Sequence, residues 1–192
     1  IGSQSKYAIK SGLGVGIFKG NPASIQLAGD TGYIQDSAFS TTDDGNDGGI
    51  DFTTANDALL VGVHNGVFFI NNTTNKPTFA NSVAASTTFG TNPNTNSTDG
   101  VAFVNDDPDQ EYVVKADAAV GQAIFGLCGN INDFAAGDAK DGASTATFDS
   151  GTQAETKMFR IVRSAEDPDN EDLTAAGANI IVVINAAANT YR

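Results

Sequence analysis

The sequence predicts an all-β protein: an antiparallel β-barrel or sandwich with long polar loops and little helix. Three observations predict it. Short apolar runs, β-branched or aromatic in flavour, recur about every ten to twenty residues. No segment sustains a helical stripe; AASTTFGT and DLTAAGAN come nearest. The 21 glycines and the many Asn, Thr, Ser and Asp residues suit strands joined by turns and suit long helices poorly.

The predicted strands follow in order. YAI (7–9) lies in an extended N-terminal segment, about residues 1–12, and VGIF (15–18) and IQL (25–27) come next. ALLVGV (58–63) and VFFI (67–70) flank His64-Asn65-Gly66; Asn-Gly tolerates positive φ, so this predicts a hairpin with His64 in its exposed tip. VAFV (101–104) and YVV (112–114) flank Asp106-Asp107-Pro108-Asp109, which predicts a second hairpin. There Pro108 presets the turn and the aspartates hydrogen-bond the local backbone. AIFGL (123–127), MFRIVR (158–163) and IIVVI (180–184) complete the set. KMFRIVR shows the alternation directly, with Met158 beside Lys157 and Ile161 beside Arg160. The polar stretches 36–57 and 71–100 are read as elaborated loops, where contacts with partners are often made. With no fixed-period repeat and no clear linker, 192 residues are read as one β domain, 1–192.

Composition excludes several partners. Ten basic against 23 acidic residues give a net charge of −13, which phosphate backbones and anionic bilayers repel. No nucleic acid and no membrane partner is expected. No run approaches the roughly eighteen apolar residues of a spanning helix, and no basic-then-apolar leader stands at the start. The lone Cys128, inside AIFGLCGNI, rules out an intrachain disulfide and reads as a buried structural thiol.

The motifs that could carry chemistry fail one by one. SGLGVGIFKG misses the dinucleotide fingerprint at its third glycine and lacks the Gly-Lys-Ser/Thr ending of a P-loop. Glycines of a close-packed or bulged strand are the better reading. DDGNDGGID (43–51) departs from the EF-hand loop, with Gly45 at the third position and Thr54 at the twelfth. That leaves Asp43, Asp44 and Asp47 as candidates for a non-standard Ca²⁺ site against a solvated turn; Asp133, Asp138 and Asp141 stand likewise. No metal and no cofactor is expected. His64 and Cys128 lack an orienting third group for nucleophilic catalysis. Adjacent solvated carboxylates such as Asp106, Asp107, Asp109 and Glu111 acquire no useful pKa difference, and a chain without Trp lacks the usual sugar platforms. No enzyme activity is expected. Sequons at Asn71, Asn72 and Asn96 say little in so Asn/Thr-rich a chain.

The order of elements resembles a group of tailed-bacteriophage virion structural proteins. In that group a "G-V-F/H-x-G" segment precedes a valine-rich strand, a DDP turn and a strand ending in Q-A-D-G/A. Here the counterparts are Val61 to Phe69, then Val101 to Asp117. Ala123 to Asn130 matches the glycine-containing apolar segment, and Asp138 to Gly151 the Ser/Gly/Asp linker. Lys157 to Val162 and Asn179 to Asn185 match the last two strands. The likeness covers roughly residues 58 to 190, with a looser match at Tyr7 to Leu27, and the insert at 71–100 departs from it. It implies a non-enzymatic capsid decoration or cement protein on the outer capsid surface of a virion. Its implied partners are the major capsid protein and copies of itself, with a homotrimer as the first oligomer to test. Two alternatives remain open. One is a carbohydrate-binding, lectin- or adhesin-like β-sandwich using Ca²⁺ and Tyr33, Phe39, Phe79 or Phe89. The other is a fibre- or pilus-like subunit donating IGSQSKYAIK as a strand.

Overall fold

Alternation with period two decides which face of each strand is buried, and it sorts this chain into two sheets with separate cores. The computed structural model describes residues 3–26, 32–36, 60–132, 137–153, 155, 157–170 and 172–186. The first sheet has the order β1 (Gln4–Ile9), β8 (Gly100–Asn105), β5 (Leu60–Ile70), β3 (Pro22–Ile25), β4 (Ile34–Asp36), with β6 (Pro77–Ala80) also on β5. The second has the order β11 (Thr147–Gln153), β10 (Cys128–Asn132), β12 (Phe159–Ser164), β13 (Asn179–Ile184), β9 (Glu111–Lys115). A two-stranded ribbon pairs β2 (Ile17–Phe18) with β7 (Ser82–Val83). The strand pairs of all three sheets are antiparallel, and a 3₁₀ turn, Gln122–Ile124, leads into β10. The chain is all-β, and its sheets are open.

Ile9, Ile17, Val61, Phe69, Phe89 and Val104 anchor the first core. Ile131, Phe148, Phe159, Ile161, Ile180 and Val182 anchor the second. β5 joins the two, because its first residue, Leu60, packs into the second core while Val61 and Val67 pack into the first. The second sheet is curled: just past β9, Ala116 forms a parallel bridge to Phe148 of β11, and the Asp117 amide donates to the Phe148 carbonyl at 3.0 Å. The end of β9 and the start of β11, the two outer strands, therefore meet at this bridge.

Neither predicted hairpin forms. Residues 60–70 run straight through His64-Asn65-Gly66 as one eleven-residue strand. The register against β8 slips between His64 and Gly66, and Gly66 has φ +142° while Asn65 has no positive φ. A tight I′ turn needs positive φ at both central residues, so Asn-Gly here makes a bulge. The strand continues because β8 spans both sides of the bulge, pairing with Val63 at one end and Phe68 at the other. The DDPD segment is likewise a link between sheets. β8 already has β1 on one edge and β5 on the other, leaving no edge for β9, which pairs with β13.

Two further expectations change. Part of the stretch 71–100 read as loop holds β6 and β7, and its Phe89 is buried. AIFGL (123–127) is no strand: it holds the end of the 3₁₀ turn and a further turn at 125–126, and pairing begins at Cys128.

Candidate functional site

The acidic turn that separates the two sheets is structural on both sides. Asp107 Oδ1 accepts the Asp109 amide at 3.0 Å, and the Gln110 amide donates to the Asp107 carbonyl at 3.1 Å, so this is a self-capped turn. Asp106 fastens the N-terminal strand: its carboxylate accepts the Tyr7 hydroxyl at 2.8 Å and the Ser3 hydroxyl at 2.9 Å. Burial alone would raise the Asp106 pKa, but hydrogen bonds from Ser5, Tyr7 and Ser3 outweigh it and hold the group below the usual carboxylate range. This contribution is present above the ordinary carboxylate pKa and is lost as pH falls through the lowered one. Asp106→Ala is expected to lower stability by about 1–2 kcal/mol, since it removes an ionised acceptor from two donors. Faster amide exchange across Ser5 to Ala8 would accompany it; urea unfolding and exchange that match wild type would reject the assignment.

Asp117 does the same for the second sheet. It accepts the Ser150 amide at 3.0 Å, the Ser150 hydroxyl at 2.6 Å and the Asn132 side-chain amide at 2.8 Å. Burial opposes its ionisation, and these hydrogen bonds again hold its pKa below the ordinary value.

Asp43, Asp44 and Asp47 lie outside the described residues, as does Asp133. Asp138 and Asp141 each cap a local turn, accepting the amides of Lys140 and Ala143 at 2.8 and 2.9 Å. Among the described residues no three His, Cys, Asp or Glu side chains converge into a metal-binding group.

His64 is not in an exposed tip. It is 1% exposed, and its Nε2 lies 3.3 Å from the Gln35 carbonyl. Burial lowers its pKa to about 4, against a smaller opposing effect of that hydrogen bond. Asn21, Ser24 and Asp36 are buried too, and Asn21 donates to the Asp36 carboxylate. Among the described residues Ser24 Oγ and His64 Nδ1 have no hydrogen-bond partner, so among them serine, histidine and aspartate form no relay. Cys128, on the other sheet, is buried as expected, and burial pushes its thiol pKa up, Arg160 acting in the opposite sense.

Of the aromatics considered for ligand binding, Phe89 is core, stacked on Phe69 at 4.8 Å, and the Tyr33 hydroxyl donates to Asp99 at 3.0 Å. Phe39 lies outside the described residues. Phe79 is 72% exposed. It does not stand alone: its ring centroid is 4.7 Å from that of Phe68 and 6.3 Å from that of Phe103. Pairing aligns Ala8, Val101, Phe68 and Phe79 in one row across four strands, and Lys6 and Phe103 in the next. All six side chains point away from the first core. Sequence reading missed this surface, although a signal was there. The four strands that build it contain no Asp or Glu, in a chain with 23 of them.

No protein-family model, curated protein or solved structure matches this chain.

Proposed function

We propose that the chain is a non-enzymatic virion structural protein, a decoration or cement protein that binds the outside of a tailed-phage capsid and stabilises it. Its partners are the major capsid protein and copies of itself, the trimer being the first assembly to test. One observation carries the reading: an outer sheet face built from Phe68, Phe79, Phe103 and Val101, with no carboxylate in its four strands. An exposed apolar patch of this kind marks a protein contact, and the absence of carboxylates means that covering it desolvates no anion. Acidic residues elsewhere, such as those of the DDPD turn, stay in water and keep the bound protein away from packaged nucleic acid. The β1 segment that a fibre subunit would donate is already paired with β8 of its own chain along its whole length.

The test is reconstitution. Cryo-EM of virions encoding this chain is expected to show it on the outer shell, and stripped capsids are expected to rebind the purified protein. Phe79→Ser should weaken that rebinding about tenfold or more, the loss typical of an aromatic anchor. Absence from purified virions, or full rebinding by a folded Phe79→Ser protein, would overturn the proposal.

A further inference from the structure

We propose that the cleft where the second sheet opens toward the first binds a small organic anion with an apolar body, of the medium-chain carboxylate type. The curl of that sheet brings β9 and β11 together at Ala116 and Phe148, and beside this meeting point Tyr112 to Lys115 of β9, with Ser144 and Ala146, line a gap. The gap forms a cleft of about 360 Å³, within the range of small-molecule sites, about 300–1,000 Å³. Its floor lies over the second core at Ile131, Phe159 and Val182, and its accessible apolar lining is Val63, Val113 and Val114, with Val113 64% exposed. An apolar body entering the cleft covers Val63, Val113 and Val114.

The rim selects the charge. Lys19 and Ser144 stand together there, with the Ser144 amide donating to the Lys19 carbonyl at 2.8 Å. Lys19 makes no ion pair among the described residues, where Arg163–Glu111 at 2.9 Å is the pair formed. Ser144 Oγ accepts the Ala146 amide at 3.1 Å, which leaves its hydroxyl proton to donate. Lys115 lines the far side, its ammonium lying beside Gly177. Among the described residues, two lysines and no Asp or Glu line this cleft, in a chain whose net charge is −13. A carboxylate or sulfonate at the rim accepts from the Lys19 ammonium and the Ser144 hydroxyl together, while its apolar part fills the floor. A neutral amphiphile leaves the ammonium without a counter-charge, and a cation is repelled.

Fluorescence titration of the full chain with anilinonaphthalene sulfonate tests this, with decanoate and decanol as competitors. One saturable site is expected, displaced by decanoate, with decanol at least about tenfold less effective because it lacks the charge-assisted contact. Lys19→Glu, a change at an exposed side chain, should weaken both anions about tenfold or more. Phe79→Ser should leave the titration unchanged, because that ring lies on the other sheet's outer face. The proposal is overturned by the absence of a saturable site, by decanol competing as well as decanoate, by unaltered affinity in Lys19→Glu, or by loss of the signal in Phe79→Ser. Each of those results leaves the capsid-docking reading where it stood, since the two sites share no residue.

Discussion

Phe148→Ala should destabilise the protein by about 3–5 kcal/mol, the range for truncating a buried aromatic in a packed core. Phe148 is fully buried at the point where the curled second sheet meets itself. The tip of its ring abuts Gly129 of the neighbouring strand β10, so closely that a Cβ on Gly129 would fall 2.3 Å from Cζ of the ring. The cavity left by alanine cannot collapse easily. Phe148's own backbone is tied to Ala116 and Asp117, and Ser150, two residues on, is held by the Asp117 carboxylate. Strain relief is therefore limited, and the upper half of the range is the expectation. Equilibrium urea unfolding measures it, the midpoint falling at an unchanged slope. A loss below about 1 kcal/mol would mean that the sheet relaxes around the gap and that the meeting of its edges is not fixed by this ring.

What the sequence made legible, and what it hid, follows from how far a signal reaches along the chain. KMFRIVR and IIVVI alternate or run apolar because each sees one core throughout, and both are strands where expected. Thr147–Gln153 (TFDSGTQ) passed for linker because only Phe148 in it is strongly apolar, and its register depends on Asp117 and Ala116, some thirty residues earlier. The two false hairpins share one cause. Asn65-Gly66 and Asp106 to Asp109 are good local turn formers, but a hairpin also needs free edges, and β5 had spent its edges on β8 and β3, and β8 its own on β5 and β1. Such competition is set by pairing between residues roughly thirty to one hundred positions apart, which no window reads.

The site was hidden for a related reason. Attention to Asp106, Asp107 and Asp109 followed charge, yet the acidic residues cap turns and fasten strands. The surface with the stronger claim is defined by charge left out. Phe68, Phe79 and Phe103 lie up to 35 positions apart in the chain, and pairing alone brings them side by side. Acid-free strands inside an acidic chain are visible in the composition. Which of their two faces is wet is not, because an apolar side chain in a strand reads the same on either face.

Acid should weaken the first sheet through one residue. His64 is fully enclosed, its pKa is lowered to about 4 by burial, and its Nδ1 lone pair has no donor beside it among the described residues. An unfolded histidine titrates near 6.5. Above that pH both states are neutral and the full stability is present. As pH falls from about 6.5 toward 4, the unfolded chain takes up a proton that the folded chain refuses, so stability declines by about 3 kcal/mol across the window. Asp106 and Asp117 do not confuse the measurement, because their pKa values are lowered and their contributions fade only at greater acidity. The chain has one histidine, so its ring proton resonances report this group alone. No ring titration is expected in the native state above pH of about 5, and His64→Gln, which cannot take the proton, should flatten the stability profile between pH values of about 7 and 4. A native-state midpoint near 6.5 by NMR, or parallel urea profiles for the two proteins, would show that the ring reaches water and that the polar cluster of Asn21, Ser24, Asp36 and His64 is not sealed.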